Sequence, residues 1–172
     1  MLTPNARFVE QANIVSGFIP VDLQTGSKDG DWVSMKGYER CTIVFFKEVG
    51  TAGDDPTITV QQTVDVADTG GVAKGVNFTD IHTKTGTQTT TGLFTHVTQA
   101  AASIYTDAAS AEVAALWVID IKAEDLDVEG GFDCIRANVD LAADNSAQLG
   151  CLLYILWPAR YAKDILQSAI VD

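Results

Sequence analysis

"ERCTIVFFKEVGTAGDDPTITVQQTVDV" (residues 39–66) decides the fold. In its second half Ile58, Val60, Gln62 and Val64 share one face of an extended chain, and Thr57, Thr59, Gln61 and Thr63 share the other. Successive side chains of a strand point to opposite faces. A mostly apolar set against a wholly polar set therefore reads as a strand with one buried face. The first half is different. Cys41, Ile43 and Phe45 fall on one side of "CTIVFFKEV", and Val44 and Phe46 on the other. A strand apolar on both sides needs cover twice, from a second layer of structure or from a partner chain.

That two-sided character recurs twice. "EVAALWVIDIKA" (112–123) sets Val113, Ala115, Trp117, Ile119 and Ile121 against Leu116 and Val118. "QLGCLLYILWP" (148–158) sets Leu149, Cys151, Leu153, Ile155 and Trp157 against Leu152, Tyr154 and Leu156. By composition each also suits a buried helix, but Ile, Val, Trp and Tyr between Gly-rich turns favour strands. "FDCIRANVD" (132–140) reads as their neighbour. Turn-forming segments such as "TGSKDGDW", "GTAGDDP", "ADTGGVAKG", "KTGTQTTTG" and "AADNSA" separate the runs, with Gly, Asp, Asn and Ser supplying turn geometry.

Helical patterning is sparse. "TDAASAEVAA" (106–115) suits a short turn of helix capped by Asp107 or Ser110. In "RYAKDILQSAIVD" (160–172), Tyr161, Ile165, Leu166 and Ile170 are spaced for one apolar stripe. A βαβ architecture needs helical patterns between strands, and none of that length occurs. The expected fold is all-β, an antiparallel β-sandwich or small barrel, jelly-roll-like, with very little helix. The expected organisation is an N-terminal arm (1–13), a β-sandwich (14–158) and a C-terminal arm or short helix (159–172).

The bulk composition fits one such domain. The chain has 172 residues, 47% hydrophobic, with four prolines, and a domain of this size buries about 70% of its unfolded surface without staples. No apolar run reaches the ~18 residues of a membrane-spanning helix. "MLTPNARFVEQANIV" lacks the basic start and apolar core of a secretory signal, so a cytoplasmic setting is expected. Eleven basic against twenty-three acidic residues leave a formal charge of −12. That disfavours phosphate backbones and anionic membranes as partners, so neither nucleic acid nor membrane is expected. It also favours solubility before any assembly.

No chemistry stands out. Cys41, Cys134 and Cys151 are scattered and lack a C-x-x-C pair, so they read as buried, reduced hydrophobes and not as a disulfide framework or zinc site. His82 and His96 lie fourteen residues apart without a His-x-His partner, and are expected to point outward as polar strand residues. Glu124, Asp125, Asp127 and Glu129 share one loop whose spacing does not match a calcium-binding helix-loop-helix. "DTGGVAKG" lacks the spacing and the Lys-Ser/Thr ending of a phosphate-binding loop. Trp32, beside Asp29 and Asp31 after a turn, is the one aromatic placed to serve as a ligand platform, as in a carbohydrate-binding sandwich. No catalytic, cofactor-binding or metal-binding residue is assigned, and no cofactor is expected.

Four segments together carry a family likeness: "SGFIPVDLQTGSKDGDWVSMKGYERCTIVFFKEVGTAGDDPTITVQQ", "GVNFTDIHTKTG", "AALWVIDIKAEDLDVEGGFDCIRANV" and "AQLGCLLYILWPARY". From about Ser16 to Tyr161 the chain resembles the small capsid auxiliary (cement or decoration) proteins of tailed bacteriophages. The likeness is one of strands and turns, with no transferable site residues. It implies a β-rich fold without enzymatic activity. It also implies assembly in the host cytoplasm onto the virion exterior, with two partners: the major capsid protein and further copies of the chain, often as a trimer. A tail-tube or head–tail joining protein is the nearest rival within that class. Under this reading the expected partner contacts are apolar ends and one turn-flanking tryptophan: Phe8, Val9, Ile14, Trp32, Trp157, Tyr161, Ile165 and Leu166.

Overall fold

The computed structural model describes residues 7–86, 92–107, 112–141, 143 and 145–159. Short helix α1 (Phe8–Gln11) precedes twelve strands. These are β1 (Asn13–Asp22), β2 (Lys28–Asp29), β3 (Val33–Ser34), β4 (Tyr38–Lys47), β5 (Pro56–Thr63), β6 (Lys74–Gly75), β7 (Phe78–Thr85), β8 (Thr95–Ala102), β9 (Ile104–Thr106), β10 (Ala115–Lys122), β11 (Cys134–Leu141) and β12 (Leu149–Ala159). One 3₁₀ turn, Ala123–Asp125, follows β10.

The strands form two antiparallel sheets. The first runs β1-β12-β4-β10-β7-β8; the second runs β2-β11-β5-β6, with β3 also on β11 and β9 also on β5. Most connections cross from one sheet to the other: β1 to β2, β3 to β4, β4 to β5, β6 to β7, and every step from β8 to β12. That wrapping is a jelly roll, with the β7–β8 hairpin widening the first sheet, and the sandwich is open, not a closed barrel. The sheet order explains the two-sided strands. β4, β10 and β12 are interior members of the first sheet, where Val, Ile and aromatic side chains suit the pleat.

The core lies between the sheets. Cys41, Ile43, Phe45, Trp117, Ile119, Ile121, Leu152, Tyr154 and Leu156 come from the first sheet, and Ile58, Val60, Ile135, Ala137 and Val139 from the second, all essentially inaccessible. Trp117 packs against Phe45 at 5.3 Å and edge-on against Tyr105 at 5.0 Å between ring centroids. Such aromatic pairs contribute about 1 kcal/mol beyond their burial. Polar side chains are buried too, Lys47 and Asp54 among them. The Lys47 ammonium donates to the Val113 carbonyl at 2.8 Å. The Asp54 carboxylate accepts from the amides of Asn145 (2.9 Å) and Ser146 (3.1 Å), fastening the β4–β5 loop to the β11–β12 loop.

The structure bears on three expectations. The described part of the N-terminal arm packs on its own domain: α1 abuts β1 and β12, Ala12 is buried, and the sheet begins at Asn13. In the stretch expected to hold a helical turn, Thr106 ends β9 and Ala115 begins β10, while residues 108–111 lie outside the described residues. Cys41 and Cys134 are buried, but Cys151 is only partly so. It sits on the outward side of β12, because Leu152 and Tyr154 take the core side.

Candidate interaction surface

The two sheets share a core, yet their outer faces differ in kind. Outside the second sheet Thr57, Gln61, Arg136 and Asn138 form a polar lattice: Arg136 Nε and Asn138 Nδ2 both donate to Gln61 Oε1, at 3.0 and 2.9 Å. Thr57 and Thr106 hydroxyls meet at 2.7 Å. This is the ordinary exterior of an antiparallel sandwich.

The outer face of the first sheet is apolar across three adjacent strands. One row of cross-strand partners runs Ser16, Leu153, Val44, Val118, His82, His96 over all six strands. The next runs Cys151, Phe46, Leu116, Lys84, and the one on the other side Ile14, Ile155, Thr42, Asp120. Opposed pairs such as Leu153 with Val44 are near enough to make one continuous patch. Its most outward members are Ile14 (50% exposed), Leu149 (48%), Leu153 (38%) and Phe46 (38%). Among the described residues no third layer covers it.

The patch has a polar border. At the end of β12, Trp157 Nε1 donates to Thr42 Oγ1 at 2.7 Å, and that hydroxyl donates to Asp120 Oδ1 at 3.0 Å. Arg40 pairs with the same carboxylate and lies 6.0 Å from the Trp157 ring centre. Along the β7–β8 side His82 and His96 stack at 4.9 Å between centroids, and His96 Nε2 is 2.7 Å from Asp80 Oδ1. Hydrogen bonds from Thr79 and His96 hold the Asp80 carboxyl below the usual range. Both histidines point outward as expected, and the hairpin register makes them direct partners despite their separation in sequence.

Of the expected contact residues, the structure gathers four at one end of this sheet. Ile14 opposes Ile155, Trp157 lies two residues further along the same side of β12, and Phe8 and Val9 are exposed on α1 beside them. Trp32 does not belong there. It is 8% exposed, its ring covered by the Arg136 guanidinium 4.5 Å away, and the sandwich therefore presents no Trp32 platform for a sugar. Tyr161, Ile165 and Leu166 lie outside the described residues. Sequence reasoning passed over Leu149, Leu153, Ile155, Val44, Phe46, Leu116 and Val118 as contacts, although their signal was the two-sided apolar pattern itself.

Among the described residues no group of three or more His, Cys, Asp or Glu side chains is placed to hold a metal ion. Two carboxylates of the acidic turn after β10 form ion pairs, Asp127 with Lys74 and Glu124 with Lys122 at 3.1 Å, and Asp125 accepts from the Lys122 amide at 2.9 Å. Burial pushes the Cys134 thiol up to about 12, away from thiolate reactivity. Among the described residues no helix is long and apolar enough to cross a membrane. No known protein-family model matches the chain, and no curated protein matches it either.

Proposed function

We propose that this chain is a non-enzymatic structural protein of a tailed-bacteriophage virion. In this reading it docks on the outer face of the major capsid lattice in many copies and stabilises the head as a cement or decoration protein. The observation that carries the reading is the asymmetry of the sandwich. One sheet turns a hydrogen-bonded polar face outward, and the other turns out a contiguous apolar patch bordered by Trp157, Arg40 and the histidine pair. Contiguous apolar surface rimmed by polar groups marks interaction sites. The jelly-roll sandwich and the likeness over residues 16–161 supply the class of partner, and the −12 charge keeps the free protein dispersed until it docks.

The test is to image purified particles with a label on this protein. Symmetric, many-copy decoration of the shell is the expected result. A handful of copies confined to the tail transfers the assignment to a tail-tube or head–tail joining protein, and mature particles without it refute the class.

A further inference from the structure

We infer that Lys47 and Gln148 form a covalent cross-link. The Lys47 amine displaces ammonia from the Gln148 side-chain amide, and the new amide bond joins β4 to the chain entering β12.

The pair is built into the interior. Both side chains are fully buried, and the register of the neighbouring strands sets Lys47 opposite Gly150. The backbone of Gln148 is fixed on either side: its amide donates to Asp22 Oδ1 at 3.1 Å, and its carbonyl accepts from the Leu23 amide at 2.8 Å. The Val113 carbonyl fixes the amine by accepting from Lys47 Nζ at 2.8 Å. With the Gln148 side-chain oxygen turned to the donors around it, that oxygen accepts from Lys47 Nζ and from the Gly50 amide, each at 3.2 Å. The carbon to be attacked lies one C=O bond, about 1.2 Å, behind the oxygen. Rotation about Cγ–Cδ turns its open face to the amine. Groups held in contact react as parts of one molecule, and a site closed to water suppresses the competing hydrolysis.

The amine must be neutral to attack. Burial lowers Lys47 from 10.5 to about 8, so about half of it is neutral at pH 8, against about 0.3% of an ordinary lysine. Nζ adds to Cδ, and the negative charge that develops on Oε1 meets the Gly50 N–H. The Nζ–Cδ bond stays, the Cδ–Nε2 bond breaks, and Nε2 leaves as ammonia with one proton given up by Nζ. Asp55 carries that proton. Its charge acts on Lys47, and its Oδ1 is buried without a hydrogen-bond partner among the described residues, a costly placement for a carboxylate with no other task. Nothing is oxidised or reduced, and no co-reactant enters. Until the bond forms Lys47 remains a titrating amine; afterwards its charge is gone.

The test is the intact mass of the full-length protein held at pH 9 for a week. The expected product is lighter than the sequence by one ammonia. Its tryptic digest is expected to contain peptide 41–74 joined to peptide 137–160, because the bonded Lys47 no longer admits the protease. Lys47→Met and Gln148→Leu are expected to keep their full mass, and Asp55→Asn to slow the loss at least tenfold. A wild type that keeps its full mass, or that loses ammonia without the branched peptide, overturns the inference, and neither result depends on a variant folding. An unchanged rate in folded Asp55→Asn overturns the part given to Asp55. The bond and the capsid role are separable: particles decorated by an unlinked chain strike the bond alone, and a linked chain that never decorates particles strikes the capsid role alone.

Discussion

The amide of Ala137 donates a hydrogen bond to the hydroxyl of Tyr154 across 2.9 Å, and that contact ties the two sheets together at a gap in one of them. β11 pairs with β3 at Cys134 and Ile135 and with β2 at Asn138 and Val139. Between those stations Gly30 still donates to the Ala137 carbonyl at 3.1 Å, but the next amide, that of Asp31, turns away to the Gly17 carbonyl of β1 at 2.9 Å. The Tyr154 side chain, reaching over from β12, supplies the acceptor that a strand partner would otherwise give. A buried amide left unpaired is costly, so one phenol of the first sheet completes the ladder of the second.

Removing that hydroxyl tests the arrangement. Tyr154→Phe keeps the ring and orphans the Ala137 amide, at an expected cost of about 1–3 kcal/mol, read from the urea midpoint. Gly30→Ala is expected to destabilise by a similar amount. A Cβ there would lie 2.4 Å from both the Tyr154 hydroxyl and the Ala137 carbonyl oxygen, and overpacking of this kind costs about 1–3 kcal/mol. The two variants share one site, so their effects combine in less than additive fashion. Strict additivity would argue against a shared origin.

Lys47 predicts how stability depends on alkaline pH. Burial lowers its ammonium from 10.5 to about 8. Between those values the unfolded chain holds a proton that the folded chain lacks, so stability rises with pH, by at most about 1.4 kcal/mol per unit. The thiols act in the opposite sense. Burial raises Cys41 and Cys134 above their ordinary 9.0, so above pH 9 the unfolded chain loses protons that the folded chain keeps. The expected profile climbs from pH 8 to a maximum near 9 and then falls. In Lys47→Met the climb disappears while the fall remains, as thermal melts across that range will show.

Asp54 governs the acid side of one loop contact. Burial works to raise its carboxyl, and hydrogen bonds from Asn145 and Ser146 outweigh that and hold it below the usual aspartate value. A depressed folded-state pKa contributes stability above the unfolded value and loses it as pH falls through the folded one. Asp54→Asn is therefore expected to lower Tm at pH 7. The gap from wild type should begin to narrow as pH drops below about 4, where the unfolded carboxylate takes up its proton, and close only below the lower folded-state value. A gap that persists at pH 2 would mean that the amide disturbs the loop by its shape and not by lost charge.

The apolar face predicts a separation of stability from attachment. Phe46→Thr/Leu153→Thr replaces two outward residues by another good strand former, so stability should change by no more than about 1 kcal/mol. Occupancy on purified particles should fall at least tenfold. Polar substitutions outside the second sheet, such as Thr59→Ser, should leave occupancy unchanged. Equal occupancy of both variants would move the docking surface elsewhere on the molecule.

Much of this molecule is written in local pattern. The alternation of Ile58, Val60 and Gln62 with Thr57, Thr59 and Gln61 assigned a half-buried strand and its inward side, because a polar face has only one place to go. The runs around Val44, Trp117 and Leu153 were legible as strands needing cover twice, and the turns between them dictated an all-β domain. What local pattern does not contain is a choice between two apolar faces. On β12 the face with more large apolar residues, Leu149 to Trp157, turned outward and the Leu152–Tyr154–Leu156 face turned in. That choice belongs to register with β4, where Ile43 and Phe45 meet Tyr154 and Leu152, and to the fit of Tyr154 beneath the gap at Ala137. The stacking of His82 on His96 and the covering of Trp32 by Arg136 arise in the same way, from pairings between strands far apart in the chain. A period of two residues determines that a strand has two faces, and only the packing of one sheet on another decides which of them meets water.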